Sequence, residues 1–275
     1  MINLPIPLTD TDERTIYSEC ANDLRNKTAL GYLEEVVESA NAYEKYVPKD
    51  IEHFPEIKIK KGDEKEILKV YEYKFAKQDS IGKKYYEAIM KNAGGRCPIC
   101  GVSKLKNLDH FLPKSIYPLL CVTPANLVPT CRDCNTEKKV YFSKNYYSLP
   151  LNPYFDRYDD EWLSCCVTYK ADKSYEVKYF NGYDKTIDEN LWNKYETHFR
   201  VFDLDATFGS KACDEIENCK GLYKRLLENC GQDNVKELLT ENRISSEKID
   251  RNSWRAALYR ALENRVDEYC EWLSC

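Results

Sequence analysis

The 275-residue sequence contains no run approaching eighteen apolar residues, which excludes a helical membrane span. Its first ten residues, Met1 to Asp10 (MINLPIPLTD), lack both a basic start and an unbroken apolar stretch. No export signal is read there, and a cytoplasmic location with no membrane association is expected. Internal repeats and low-complexity tracts are missing too, which argues against a solenoid or a long disordered tail. Histidine is scarce, with only His53, His110 and His198. Net positive charge is also lacking, since 41 Lys and Arg face 46 Asp and Glu for a formal charge of −5. What is present, 43% hydrophobic and 32% charged residues, is the composition of a soluble globular protein. A chain of this length can enclose one large or two ordinary cores, so its thirteen cysteines are not needed as staples. In a reducing compartment they are metal ligands or small buried hydrophobes, and their spacing must decide.

Charge is unevenly spread. From Gly94 to Pro150 eight bases (Arg96, Lys104, Lys106, Lys114, Arg132, Lys138, Lys139, Lys144) face three acids (Asp109, Asp133, Glu137), while the remainder of the chain carries −10. A basic island in an acidic protein suits a phosphate-backbone partner, because non-specific nucleic-acid affinity comes mostly from charge neutralisation and counterion release. A lysine-rich solvated surface would look the same.

Three segments can be drawn. Residues 1–93 read as helical, with Leu33, Val36, Val37, Ala40, Tyr43 and Val47 on one stripe, Ile67, Tyr71 and Phe75 on another, and Ile81, Tyr85 and Ile89 on a third. Residues 94–150 hold Gly94, Gly95, Gly101 and six prolines, lack helix periodicity, and need something other than a core of large aliphatics. Residues 151–275 open with a predicted hairpin, in which Leu163, Cys165, Val167 and Tyr169 alternate, then Tyr175, Val177 and Tyr179 alternate across a turn at Ala171 to Ser174. They continue as helix, with Ile216, Cys219, Tyr223, Leu226 and Cys230 on one stripe stopped by Gly231. Trp254, Leu258, Ala261, Leu262, Val266, Tyr269 and Leu273 form the last stripe.

Cys97 and Cys100 stand in C-P-I-C-G, Cys131 and Cys134 in C-R-D-C-N, with thirty residues between the pairs. Each short turn offers two sulfurs, and two such turns make a four-thiolate tetrahedral zinc site. Cys213, Cys219 and Cys230 fall on apolar helix faces and Cys165 on the inner face of a strand; these, with Cys20, Cys121, Cys166, Cys270 and Cys275, are expected to be buried as small hydrophobes.

The insert between the cysteine pairs carries Asp109 and His110 side by side and Asn126 in A-N-L-V-P, and Asn135 follows the last cysteine directly. A lone histidine is usually structural, so His53 and His198 receive no role; His110 has company. Here the sequence resembles the HNH endonucleases, in the variant whose last histidine is asparagine: D-H, then N-L, then C-x-x-C-N followed by K-K, over Cys97 to Lys139. The resemblance implies an α+β, mainly helical chain in which a zinc-braced ββα-metal finger is inserted between N- and C-terminal helical regions. It implies Asp109 and Asn135 as ligands of one catalytic Mg²⁺ or Mn²⁺, hard oxygens for an oxygen-loving ion. His110 would be the general base, and Asn126 would hold the histidine loop and fix the tautomer. Lys114, Arg132, Lys138 and Lys139, the nearest bases, would clamp phosphates. An asparagine at 135 could instead cap a helix, and the Asp109–His110 pair could mark a surface turn.

The expected activity is metal-dependent hydrolysis of phosphodiesters, with DNA favoured over RNA by the family habit alone. The competing readings are a zinc-stabilised nucleic-acid-binding module without catalysis, and a nuclease-derived scaffold. The flanking L-N-P-Y-F-D at 151–156 and W-R-A-A-L-Y-R-A-L at 254–262 look like the HNH subunit of Septu-type antiphage systems. That resemblance implies an ABC-type ATPase partner and, in retron-linked systems, a reverse transcriptase with its noncoding RNA. Asn152 stands where a histidine often precedes P-Y in such proteins, and L-N-P-Y-F-D is taken as a packing element.

Overall fold

The computed structural model describes residues 2–157 and 159–274, and these form two compact units, 2–157 and 159–274. Cys275, one of the cysteines expected to be buried, lies outside the described residues. Among the described residues the fold is mixed and mainly helical, with two small antiparallel sheets of two strands each.

The first unit opens with helix α1 (Glu13–Asn22), whose N-cap Asp12 accepts the Thr15 N–H at 2.6 Å and so satisfies one of the orphan donors of its first turn. In α2 (Leu33–Tyr46) the residues spaced for one face, Val36, Ala40 and Tyr43, are buried as the periodicity requires. The Ile67, Tyr71, Phe75 stripe begins as helix α3 (Asp63–Lys69) but continues as a π-helical turn over Val70–Phe75. Helix α4 (Lys83–Lys91) follows with Tyr85 and Ile89 inward, while Ile81 lies before it and is exposed. Strand β1 (Asn107–His110) pairs with β2 (Leu127–Thr130), Asp109 opposite Val128 and His110 opposite Leu127. Helix α5 (Arg132–Lys138) then packs against β1.

The segment from Gly94 does not stand apart from the helices before it. Leu108 of β1, Leu127 of β2, and Leu119, Cys121 and Val122 between them belong to one apolar cluster with Ile16, Val36, Ile67, Phe75 and Ile89 of the helical segment. The glycine- and proline-rich stretch therefore borrows a core that its own sequence cannot build. The same unit extends past Pro150. Asn152 and Asp156 close a tight buried turn, with the Asn152 N–H donating to the Asp156 carboxylate at 2.7 Å and the Tyr154 N–H to the Asn152 side-chain oxygen at 2.9 Å. The Tyr154 hydroxyl donates to the Leu127 carbonyl at 2.7 Å, which fastens this turn to β2. L-N-P-Y-F-D is thus a packing element, of the first unit. A strap at the other end of the sequence joins in: Ile2 N–H donates to the Pro98 carbonyl at 2.9 Å, Leu4 N–H to the Pro153 carbonyl at 2.8 Å, and the Arg157 guanidinium to the Leu4 carbonyl at 2.8 Å.

The second unit has the expected hairpin, β3 (Leu163–Tyr169) and β4 (Tyr175–Asn181), with Cys165 opposite Tyr179 and Val167 opposite Val177. Helices α6 (Glu189–Val201), α7 (Leu204–Cys230) and α8 (Gln232–Ile249) follow, with Gly231 at φ +83° ending α7, a conformation glycine adopts without a Cβ penalty. The last stripe is broken into α9 (Trp254–Asn264) and α10 (Val266–Ser274). Leu258, Tyr269 and Leu273 are buried, so this stripe is core. Cys20, Cys121 and Cys270 are buried as expected; Cys165, Cys166, Cys213 and Cys219 are only half-buried, and Cys230, at the solvent end of α7, is exposed. Among the described residues no helix is long and apolar enough to cross a membrane.

Candidate metal centre and strand–strand–helix site

The four cysteines converge. Their sulfurs all lie within 4.8 Å of one another in a buried cluster, with Cys100 and Cys131 sulfurs 4.0 Å apart. A zinc ion with Zn–S bonds of about 2.3 Å sets its sulfurs roughly 3.8 Å apart at the corners of a tetrahedron, so the set fits this ion. Both knuckles are preformed by backbone. The Gly101 N–H returns to the Cys97 carbonyl at 2.8 Å, with Gly101 at φ +68°, a left-handed turn that favours glycine. At the second knuckle the Cys134 N–H donates to the Cys131 sulfur at 3.4 Å, making Cys131 the N-cap of α5. The four sulfurs crowd one another, so without a metal they share protons: Cys100 and Cys131 are held below the usual thiol range while Cys97 and Cys134 are pushed above it.

Strand pleating separates the neighbours Asp109 and His110. Leu108 and His110 turn inward while Asn107 and Asp109 take the other face. The His110 ring Nε2 lies 2.8 Å from the Cys121 carbonyl, to which it donates, and the ring meets Tyr71 edge-on with centroids 4.5 Å apart. That hydrogen bond fixes the Nε2–H tautomer and leaves Nδ1 as the basic nitrogen. Burial pushes His110 down to about 3, so the imidazole is neutral at physiological pH. Asp109 is raised by burial, an effect opposed by the Lys138 ammonium.

Asn126, fully buried at the end of a short 3₁₀ turn, accepts the Leu112 N–H at 2.8 Å and donates to the Leu112 and Leu120 carbonyls at 3.1 and 3.3 Å. It staples both ends of the loop that follows His110. These hydrogen bonds all go to backbone groups, while the imidazole's own hydrogen bond goes to the Cys121 carbonyl. Asn126→Leu is expected to destabilise the protein by about 3 kcal/mol, because buried backbone groups at Leu112 and Leu120 lose their partners at a cost of about 1–3 kcal/mol each. Urea denaturation measures this, and an unchanged midpoint would contradict it.

Asn135 lies inside α5 and is not its cap, a role Cys131 fills. Three residues on, and therefore on the same side of the helix, Lys138 is 3% exposed. Its ammonium lies 2.9 Å from the Asp109 carboxylate and donates to the His110 carbonyl at 2.7 Å. The expectation that Lys138 clamps phosphate is thereby corrected: the helix turns this lysine into the protein, where Asp109 satisfies it. Lys114 reaches Glu72 at 2.8 Å and lies over the Tyr71 ring. Arg132 and Lys139 are exposed and, with Arg96, Lys104 and Lys106, form no ion pair among the described residues. Several of these free bases flank the cysteine knuckles. His53 pairs with Asp50 on the surface, and His198 packs between Trp162 and Phe202.

Asp109 on β1 and Asn135 on α5, two elements in contact, each carry a side-chain oxygen. Among the described residues, however, no group of three His, Cys, Asp or Glu ligand atoms includes Asp109. Sequence reasoning missed the tyrosines that brace β1. The Tyr86 hydroxyl accepts the Leu108 N–H at 3.2 Å, and Tyr71 donates to the Leu108 carbonyl at 3.4 Å, closing the edge of the strand that β2 leaves open. Tyr71 is visible in the sequence only as a member of an apolar stripe.

Comparison with known proteins gives two partial likenesses. Over 100 residues the chain is 37% identical to Protein ea31 of Escherichia phage lambda, covering 34% of either chain. Over 69 residues it is 38% identical to Septu protein PtuB of Bacillus thuringiensis, covering 23% of this chain and 27% of that one. No family model matches, and no solved structure matches. The chain thus spans about a third or less of the curated relatives it matches, and what it shares with them is similarity over a part.

Proposed function

We propose that this chain is a metal-dependent endonuclease of the HNH type that hydrolyses phosphodiester bonds in nucleic acid, with DNA as substrate. One observation supports it above others: Asp109 and His110 on one strand, Asn126 at the foot of the next and Asn135 on the helix that follows occur as strand, strand and helix braced by a four-cysteine cluster. Asp109 and Asn135 would hold the cation, which would supply Lewis-acid polarisation of the phosphate and stabilisation of the leaving oxygen. His110, neutral and held through Nε2, takes the proton of the attacking water at Nδ1. Asn126 keeps the loop beyond His110 in place, and zinc at the four cysteines is structural. Arg132 and Lys139 contact phosphates, and Lys114 can join them from its pair with Glu72.

The partial likeness to a Septu protein supports a place in antiphage defence. In that setting the chain works beside an ABC-type ATPase and, where retron-linked, a reverse transcriptase with its noncoding RNA. The stripe from Trp254 to Leu273 is spent inside its own unit, so other surfaces of the helical flanks would dock such a partner. The test is plasmid cleavage by the purified chain with Mg²⁺, Mn²⁺ or EDTA, alone and after co-expression with a neighbouring ATPase. Nicking or linearisation with metal and none in EDTA is the expected result. Salt-sensitive binding with no cleavage in either preparation would instead identify a binding module.

A further inference from the structure

Asp109 is the carboxylate of the candidate cation site, and its charge is already matched by Lys138. Among the described residues it belongs to no group of three His, Cys, Asp or Glu ligand atoms, and Asn135 is a neutral amide. The Lys138 ammonium lies 2.9 Å from the Asp109 carboxylate and 2.7 Å from the His110 carbonyl oxygen, in a side chain 3% exposed. Carboxylate, ammonium, amide and carbonyl sum to zero before any cation arrives. A divalent ion approaching Asp109 meets a fixed positive charge against the same carboxylate, in surroundings where charges interact more strongly than in water. A phosphodiester brings what is missing, a negative charge on hard oxygens, and Mg²⁺ is commonly held by one or two carboxylates together with substrate phosphate.

We propose that Lys138 makes cation occupancy of this site depend on nucleic acid: the free protein holds Mg²⁺ or Mn²⁺ weakly, and cation and phosphodiester load together. The inference rests on the nuclease reading and states how that site is regulated. Lys138 is a positioning residue, since it acts through Asp109. By linkage the dependence is reciprocal, and the cation tightens nucleic-acid binding by the factor by which nucleic acid tightens the cation.

Two binding measurements test it. Mn²⁺ titration of the free protein, read by the electron paramagnetic resonance of unbound Mn²⁺ at pH 8, is expected to show Lys138→Met binding about tenfold tighter than wild type, within the usual range of such couplings. Zinc content and circular dichroism certify the fold of the variant, and Lys138→Gln repeats the test with a neutral polar chain. Independently, fluorescence anisotropy of a labelled duplex oligonucleotide with the non-cleaving His110→Ala protein is expected to show about tenfold tighter binding in Mn²⁺ than in EDTA at matched ionic strength. That dependence should shrink severalfold when Lys138→Met is added. Oligonucleotide affinity indifferent to Mn²⁺, or a Lys138 variant that binds Mn²⁺ no more tightly, overturns the proposal. If wild type still cleaves plasmid in Mn²⁺, such a result removes this inference alone; absence of cleavage removes the nuclease reading as well.

Discussion

His110→Ala is expected to abolish nucleic-acid cleavage, lowering the rate by about 10² to 10⁴, the usual loss when a general base is removed. Part of the effect of this variant is structural. The ring is buried against Tyr71 and donates to the Cys121 carbonyl, so alanine also leaves a buried acceptor unpaired, at a cost of about 1–3 kcal/mol. His110→Gln separates the two, because its amide can still donate to Cys121 but cannot serve as a base. Thermal melts and single-turnover cleavage, measured side by side, should show glutamine recovering stability and not activity. Cleavage by His110→Gln at the wild-type rate would falsify the assignment of the base. At Asp109 the informative change is to asparagine. Alanine would strand the buried Lys138 ammonium, and an unpaired buried charge costs about 3–5 kcal/mol.

The second large effect is expected at the cysteines. Cys97→Ser or Cys131→Ser removes one of four ligands from a buried cluster, and structural zinc contributes an apparent 10–16 kcal/mol, roughly, to the folding of isolated zinc-finger peptides. Loss of bound zinc from one atom per chain to none, with unfolding around both knuckles, should follow. Elemental analysis and limited proteolysis read the two consequences. Helices α1 to α4 should survive better than the knuckles, since their apolar cluster does not include the four sulfurs. A wild-type protein that folds and contains no zinc would rule out the structural role.

Much of this was legible in the sequence, and the illegible parts have physical causes. Two C-x-x-C pairs specify a shared ion because each turn fixes its own pair of sulfurs, and the structure brings all four together. The hairpin followed from period-two alternation, though its register did not, and the end of α7 followed from Gly231. The staple at Asn126 fits its expected position but acts on backbone groups and not on the imidazole. Lys138 was misread because a lysine in a basic island gives no sign of which way its helix face will turn. The π-helical turn was invisible because Ile67, Tyr71 and Phe75 have the four-residue spacing of an ordinary helix. Pairing of Tyr71 and Tyr86 with Leu108 joins residues 37 and 22 positions apart, a distance over which periodicity carries no information.

The strap at residues 2 to 4 bears on the order of synthesis. Ile2 finds its acceptor at Pro98, Leu4 finds its donor at Arg157 and its acceptor at Pro153. At about 5–20 residues per second of translation, the chain between Leu4 and Arg157 takes roughly 8 to 30 s to make. For that interval the strap has no complete seat, and Asp109, His110 and the cysteines emerge into a half-built unit. The ribosome thus finishes the second knuckle about 1 to 4 s before it reaches Pro153, so a nascent chain stalled in between would carry the whole set of candidate site residues without the backbone that ties residue 4 to residues 153 and 157.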